Sequence, residues 1–393
     1  MLENVERVTR TFYPVGQGAF YRERFVFSDK SVFNIVYDCG TETPKGKYYI
    51  DNIISGWKDE CIDILFISHF HVDHISKVSE LIENIKVKLL IAPFLTLDDK
   101  KYIKIDILND CTEKNNEEIN YDQIINAFSI IDNIGETFKN NVDKIKLVAK
   151  ERINKTFDNR NVEVIEEGNI SQILNNEKFK NTWILDSFVA LPTNKREIIN
   201  IFKTKFRDIN EINSIGKIKD ILEDKIERNK LKELYGDNIH KFCLVLYSGP
   251  ANNGIFQHNY KYCKERNCQL PYFPSCKNTK PAGCLYTGDF ETKDENSVEE
   301  FVKHFNRYFE KIGCLQLPHH GSENNFIDLF LSFDCFYVCC YGKNNRYGHP
   351  SNNVLCILAQ FYKIVFKINE NSWKIEFKID MRNRQKNLPY ENR

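Results

Sequence analysis

The sequence of 393 residues predicts a mixed α/β fold, and three features of its first hundred residues predict it. Residues 62–67 form a short apolar run, rich in β-branched side chains and flanked by polar residues, which is typical of a buried strand. Residues 75–85 then carry apolar side chains at helical spacing, so the strand leads through a loop into a helix. The rest of this region has the pattern of alternating strands.

The loop between this strand and this helix carries an H-x-H-x-D-H cluster made of His69, His71, Asp73 and His74. Three imidazoles and one carboxylate within six residues can hold two divalent metal ions side by side. We expect His69 and His71 to bind one ion, and Asp73 and His74 to bind the other. Histidines of an ordinary solvated loop are the less favoured interpretation.

Further motifs follow in order along the chain: V-G-Q-G-A at 15–19, F-N-I-V-Y-D-C-G at 33–40, Y-T-G-D-F-E at 286–291, L-P-H-H-G-S at 317–322 and R-Y-G-H-P-S at 346–351. Together with the cluster they resemble the metallo-β-lactamase fold, in the branch that contains the soluble domain of ComEC-type competence proteins. The resemblance covers residues 10–98, 185–192 and 240–360. It implies an αββα sandwich of two sheets with outer helices and with helical insertions.

The resemblance also implies roles for residues of the later motifs. Asp289 follows a short apolar strand and a Thr-Gly turn, and it matches the aspartate that bridges two metals in the family. His320 is assigned as a metal ligand and His319 as a donor to the transition state. Asp73 is expected to act in catalysis as well as in metal binding. His349 would donate to a phosphate oxygen or a leaving group, with a structural loop histidine as the alternative.

The first ion needs a further ligand, which most of the family takes from a third histidine between the cluster and the bridging aspartate. His240 and His258 are the candidates in that interval, and His240 is preferred because it directly precedes a predicted strand, where the family places its polar ligand or an asparagine. A site completed by water is the remaining alternative.

Three polar residues are expected to support the site. Asp38 would orient the histidines through hydrogen bonds. Glu291 would orient a ligand or contact a cationic group, or it is a plain surface residue. Ser322 would hydrogen-bond the substrate, although a cap of the following helix is preferred for it.

Composition limits the class of protein. The chain has 55 basic and 55 acidic residues, so no global field favours nucleic acid or membrane. Its 13 cysteines are scattered through apolar runs rather than spaced as a disulfide framework. The N-terminus lacks the apolar segment of a signal peptide, and no apolar stretch approaches the ~20 residues of a membrane span. We therefore expect a cytoplasmic protein without membrane contact.

The chain is interpreted as one domain, 1–393, with helical insertions at 99–160 and 193–240 and a cysteine-rich loop insertion at 249–283. Basic residues at 195–207 indicate either a solvated helix face, which is preferred, or a rim that guides a polyanion. In the loop insertion, His258, Cys263, Cys268 and Cys276 could form a structural metal site. Free thiols are the preferred interpretation, because the spacing is looser than that of a zinc ribbon.

These observations predict a metal-dependent phosphodiester hydrolase with two Zn²⁺ ions, or Mn²⁺, that activate water as the nucleophile. The leading substrate is nucleic acid, with the protein acting as a DNA nuclease. One alternative is a small-molecule phosphodiesterase or related esterase of the same fold. The other is an effector subunit of a multi-protein defence system, gated by a protein partner that docks on the helical insertion.

Overall fold

The structure, a computed structural model, describes residues 5–153, 161–174, 176–180, 182–234, 242–251, 258–262 and 280–381, with the backbone alone for 258–262. The strands are β1 (Val5–Phe12), β2 (Tyr21–Phe27), β3 (Val32–Tyr37), β4 (Cys61–Phe66), β5 (Lys86–Pro93), β6 (Val142–Ala149), β7 (Val162–Glu166), β8 (Gly168–Asn169), β9 (Trp183–Ala190), β10 (Cys243–Pro250), β11 (His258–Tyr262), β12 (Gly283–Tyr286), β13 (Ile312–Gln316), β14 (Phe336–Cys340), β15 (Ile364–Ile368) and β16 (Ile375–Asp380). The helices are α1 (Pro44–Gly56), α2 (Val72–Ile75), α3 (Val78–Asn84), α4 (Leu97–Asp110), α5 (Tyr121–Phe138), α6 (Glu177–Lys180), α7 (Lys195–Lys205), α8 (Ile215–Leu222), α9 (Lys225–Lys232), α10 (Glu295–Phe305) and α11 (Asn352–Gln360).

The strands form two sheets that pack face to face. Within the described residues, a nine-stranded sheet has the order β11-β16-β1-β2-β3-β4-β5-β6-β7, and a seven-stranded sheet has the order β15-β14-β13-β12-β10-β9-β8. Side chains cross between them: Tyr37 donates to the carbonyl of Leu244 at 2.9 Å, and its ring stacks on that of Tyr286 at 4.9 Å. The predicted α/β class with two packed sheets is confirmed.

Helices cover the outer faces of both sheets. On the first sheet, α1 and α3 bury Ile50, Ile54 and Leu81. On the second sheet, α10 and α11 bury Phe301 and Leu358 in a separate apolar cluster against the outer face. The arrangement is therefore helix, sheet, sheet, helix.

Parallel pairing sets the position of the polar loops. The strands β3 to β7 pair in parallel, as do β12 to β15. In such sheets the loops after the carboxyl ends of the strands meet at one edge, where ligands commonly bind. Asp38 follows β3, the histidine cluster follows β4, Asp289 follows β12, and the two histidines of L-P-H-H-G-S follow β13.

The helical segments differ in one respect from the prediction. Residues 97–138 and 195–232 are largely helical, and α4 packs against α5, α7 and α9. Residues 142–149, which the prediction placed inside the helical insertion 99–160, instead form β6 between β5 and β7 of the nine-stranded sheet. In β6, the polar Lys146 lies between buried Ile145 and Leu147, and that short alternation is typical of a strand.

Several predicted features lie where little or nothing is described. His240, Cys263, Cys268 and Cys276 lie outside the described residues, and only the backbone of His258 is described, in β11. The structural metal site therefore stays a prediction. The cysteines of the described residues are free thiols. Over the same part of the chain, no helix combines the length and apolar character needed to cross a membrane.

Candidate metal centre

Asp38 joins the ends of β3 and β4. Its backbone N–H donates to the carbonyl of Phe66 at 2.8 Å, and its φ of 55° turns the chain sharply away from the sheet. Its carboxylate accepts from the backbone N–H of Ser68 at 2.7 Å and from the hydroxyl of Ser68 at 2.6 Å. The same carboxylate lies 2.7 Å from Nδ1 of His74. Asp38 thus fixes both the start and the end of the histidine loop.

The loop itself is held from the outside by backbone contacts. The N–H of Ala19 donates to the carbonyl of Asp73 at 3.3 Å, and that of Cys39 donates to the carbonyl of His74 at 3.0 Å. Gly18 and Gly40 both lie against the carbonyl of Asp73, whose oxygen a Cβ atom would approach to 2.6 and 2.5 Å, respectively. The glycines of the two N-terminal motifs therefore allow the backbone to approach the loop closely.

Asp289 lies between two histidines of the cluster. Its Oδ2 is 3.4 Å from Nε2 of His69, and its Oδ1 is 3.4 Å from Nε2 of His74. Nearby, Nε2 of His320 is 2.9 Å from Oδ2 of Asp73. One carboxylate thus has each of its oxygens facing a different imidazole.

These side chains form three overlapping groups of metal-ligand type, and within each group the ligand atoms lie within 4.8 Å of one another. The groups are His69, His71 and Asp289; His69, Asp73 and His74; and His74, Asp289 and His320.

The buried atoms of these groups have the properties that a divalent cation requires. Among the described residues, Nε2 of His69, Nε2 of His74 and Oδ1 of Asp289 have no hydrogen-bond partner, although the three residues are at most 2% exposed. Leaving such groups without a partner costs about 1–3 kcal/mol each. Imidazole nitrogen and carboxylate oxygen are suitable ligands for zinc, so the residues fit a divalent metal centre.

His71 has two carboxylate neighbours that the sequence analysis did not name. Its Nε2 is 2.9 Å from Oδ2 of Asp106, and its Nδ1 is 3.0 Å from Oδ2 of Asp110. Both aspartates belong to α4, which begins at a capping box in which Thr96 and Asp99 bond each other's backbone. The signal available in the sequence was a carboxylate in the apolar run 105–108, where Asp106 is 1% exposed.

The two histidines after β13 lie on a tight turn rather than on the extended segment that the sequence analysis assumed. His319 and His320 have φ values of 45° and 56°. The turn still separates their rings: Nδ1 of His320 lies 2.8 Å from the carbonyl of Cys340, while Nδ1 of His319 lies 3.2 Å from Oδ1 of Asn325. Nε2 of His319 is 3.8 Å from Asp289, and its side chain is 29% exposed.

His349 lies beside His319 at the exposed side of the centre. Their ring centroids are 5.3 Å apart, and the ring of Tyr347 stacks on His349 at 5.8 Å. The backbone N–H of His349 donates to Oδ1 of Asn345 at 2.9 Å, so the loop holds the residue in place. Both imidazoles are partly exposed beside the buried cluster.

Burial and neighbouring charges set the protonation of the cluster. Burial and the charge of His74 lower the pKa of His69 to about 4, and burial beside His319 lowers the pKa of His349 to about 3. Burial disfavours ionisation of Asp289, but the imidazoles of His319 and His69 outweigh it and hold its pKa well below the ordinary value. An ionised Asp289 beside a neutral His69 is the state in which these two residues bind a metal.

Two further predicted residues make local contacts. Oε1 of Glu291 accepts from the backbone N–H groups of Thr292 and Lys293, at 3.0 and 2.9 Å. Ser322 is buried, but its side chain makes no capping hydrogen bond to the short turn Glu323–Asn325. Ser322 thus holds the cap position of this turn without a side-chain hydrogen bond, and the roles of both residues toward a ligand or substrate stay predictions.

Comparison with known proteins finds a family match over part of the chain. Residues 32–97, from β3 to the start of α4, match the family described as Metallo-beta-lactamase superfamily. No curated protein matches the sequence. Among solved structures, a long form RNase Z from yeast matches with 10% identity and a TM-score of 0.28, over 91% of this chain and 44% of that one. The chain thus spans less than half the length of that structure.

The resemblance to ComEC-type domains stays a prediction. The two packed sheets and the buried cluster after β4 have the layout of the metallo-β-lactamase fold, and the superfamily match covers residues 32–97 of it.

Proposed function

We propose that the protein is a metal-dependent phosphodiester hydrolase that cleaves nucleic acid at the His–Asp cluster. The position of Asp289 is the observation that carries this proposal, because its two oxygens face His69 and His74 at equal distances of 3.4 Å. A carboxylate shared in this way suits a site with two metal ions, which clamp the attacking and leaving oxygens of a displacement.

Two Zn²⁺ ions, with Mn²⁺ as the competitor, would supply the chemistry of water activation and of charge stabilisation at the phosphoryl group. His69, His71 and Asp289 would hold one of them, and Asp73, His74 and His320 the other, with Asp289 shared. Asp38 keeps Nε2 of His74 toward the centre by accepting at Nδ1, and the carbonyl of Cys340 does the same for His320.

His319 and His349 act on the substrate. Both rings are partly exposed beside the buried cluster, and Nε2 of His319 lies 3.8 Å from Asp289 while Asn325 holds its other nitrogen. A fixed imidazole in this place donates to a non-bridging phosphate oxygen or to the leaving oxygen. Their loss should therefore lower turnover more than metal binding.

The form of the nucleic acid follows from the surroundings of the centre. Basic residues of α7 lie against the acidic start of α4: Lys195 is 2.6 Å from Asp99, and Arg196 is 3.6 Å from Asp98. These pairs neutralise part of the predicted basic rim. A single strand, which needs a narrower basic path than a duplex, is the substrate we favour.

A second candidate, hydrolysis of a small phosphodiester, is favoured by a bridge across the site. Arg346 of the G-H-P-S loop donates to the carbonyl of Glu113 and pairs with Glu118, both from the segment after α4. Lys114 of the same segment pairs with Glu42 near the N-terminal motifs. A segment tied on both sides narrows the approach to the centre. A protein partner for the helical segments stays a prediction.

One experiment separates the two candidates. Labelled single-stranded DNA, duplex DNA and RNA are incubated with Zn²⁺ or Mn²⁺, beside bis-p-nitrophenyl phosphate, for wild type, Asp289→Asn and the control Asp334→Asn, whose side chain is 77% exposed. Polymer cleavage that Asp289→Asn abolishes and Asp334→Asn retains would support a nuclease. Turnover of the small diester alone would support the second candidate. Equal activity of wild type and Asp289→Asn would contradict both.

A further inference from the structure

We propose that the acidic pair Asp106 and Asp110 of α4 completes the metal centre on the side of His71, where the sequence predicts a third histidine. The inference rests on the proposed function, since it assumes that the cluster binds divalent ions. It adds two residues from a helix beyond the 32–97 match, at positions that none of the motifs contains.

The geometry of α4 places both carboxylates on one ring. Residues four apart on a helix lie on the same face, so Asp106 and Asp110 project toward the same neighbour. They lie 2.9 Å from Nε2 and 3.0 Å from Nδ1 of His71, and both ring nitrogens therefore face a carboxylate. The side chain of Asp106 is 2% exposed and that of Asp110 is 35% exposed, so the pair runs from the interior to the surface.

An imidazole that binds a metal uses one nitrogen for the ion and donates the other N–H to an acceptor that fixes the ring. At His71, each of the two ring nitrogens has a carboxylate beside it. Whichever nitrogen faces the ion, the aspartate at the opposite nitrogen orients the ring. The aspartate at the near nitrogen adds negative charge beside the ion.

A second observation locates the ion on this side of the centre. Nε2 of His69 lacks a hydrogen-bond partner within the described residues, and its side chain is 2% exposed. With His71 and Asp289 it forms one group of ligand type. Burying a divalent ion there requires compensating negative charge, and Asp106 supplies it from an equally buried position.

The proposal gives the helical segment a role in the centre. The contacts of α4 with α5, α7 and α9 determine where Asp106 and Asp110 lie, so these helices position His71 as well as covering the site. Removal of the pair should weaken the binding of one ion and leave the group formed by His74, Asp289 and His320 intact.

The test is metal content, measured without reference to activity. Purified chains are loaded with Zn²⁺ and dialysed, the metal is counted by elemental mass spectrometry, and affinities are obtained by competition with a chromophoric chelator. We expect two ions in wild type, a 10- to 100-fold weaker affinity for one ion in Asp106→Asn and in Asp110→Asn, and one ion in the double variant.

Two controls match the variants. Asp98→Asn removes a carboxylate from the exposed start of the same helix, and His240→Ala removes the histidine first expected to be the ligand; both should bind as wild type does. Circular dichroism checks folding, and Asp110→Asn, at a partly exposed position, carries the test if Asp106→Asn does not fold. Two tight ions in the double variant, or loss of one in His240→Ala alone, would overturn the inference and leave the proposed function standing. A wild type without bound metal would overturn both.

Discussion

The carboxylate of Asp38 lies 2.7 Å from Nδ1 of His74, and the two residues are 0% and 2% exposed. Burial lowers the pKa of His74, but the charges of Asp73 and Asp38 outweigh that effect and raise it well above the ordinary value of a histidine. The same carboxylate receives the backbone and hydroxyl donors of Ser68. One residue at the end of β3 therefore fixes the orientation of a proposed ligand at the end of the neighbouring strand.

Asp38→Asn should lower the affinity for one metal ion by about 10- to 100-fold, because the amide no longer holds His74 as a charged acceptor does. Chelator competition measures the affinity. Asp63→Asn is the matched control. Asp63 also accepts a backbone N–H from β3, that of Asn34 at 2.7 Å, but it lies within β4 and not in the histidine loop. Equal affinities in wild type and Asp38→Asn would show that Asp38 has no part in binding the ion.

Gly40→Ala should displace the loop that carries Asp73 and His74. A Cβ at residue 40 would lie 2.4 Å from the carbonyl carbon of His74 and 2.5 Å from the carbonyl oxygen of Asp73, and these backbone atoms have no rotamer to relieve the clash. We expect a loss of about 1–3 kcal/mol of stability together with weaker metal binding. Thermal melts with and without Zn²⁺ measure both effects.

Gly56→Ala provides the comparison for this substitution. A Cβ at residue 56, in the last turn of α1, meets no atom within 4 Å. Since alanine is favoured over glycine in a helix, the variant should melt at or slightly above the temperature of wild type. If Gly40→Ala behaved in the same way, the close approach of the two chain segments would be disproved.

The part of the centre that follows from local sequence could be predicted. The residues of the cluster lie within six positions of one another, and Asp38, Asp289 and His320 each follow a short apolar segment. Strands that deliver polar residues from their carboxyl ends bring them to one edge of a sheet. The pattern therefore predicts the meeting of distant residues once the fold class is known.

Asp106 and Asp110 show where this reasoning ends. Their position depends on how α4 packs against the loop of His71, and a pair of aspartates four residues apart is equally typical of a solvated helix face. The turn at His319 and His320 was missed for another reason. Left-handed backbone costs a non-glycine residue roughly 1–2 kcal/mol, so an extended segment is the default expectation after a strand.

The buried ion pair between Arg10 and Glu23 should be important for stability. Their side chains are 0% and 2% exposed and 2.6 Å apart, between the two sheets, and Glu23 also accepts from the hydroxyl of Tyr286 at 3.0 Å. Glu23→Gln leaves the guanidinium without its counter-charge in the interior, which typically costs about 3–5 kcal/mol. Urea denaturation measures the loss.

The control for this pair is Glu6→Gln, which removes the partner of Lys30. That pair has a separation of 3.0 Å, and the lysine side chain is 72% exposed. Surface pairs contribute about 0–1 kcal/mol, so the midpoint of denaturation should hardly change. If both variants shifted the midpoint of denaturation by the same amount, the charge of Glu23 would contribute no more to stability than the charge of an exposed residue.

Glu167 should make the stability of the fold depend on pH between 4.5 and 7, a range in which most carboxylates are already ionised. Burial raises its pKa from 4.5 to about 7, although the backbone N–H of Val189, at 2.6 Å, favours the ionised form. Because the folded state holds a proton that the unfolded state has lost, stability should be highest near pH 4.5, fall as the pH rises to 7, and stay level above it.

Glu167→Gln keeps an acceptor for Val189 and remains neutral, so the variant should match wild type at pH 4.5 and exceed it at pH 7.5 by on the order of 1–2 kcal/mol. Urea denaturation at these two pH values measures the difference, and a difference that stays constant with pH would contradict the raised pKa.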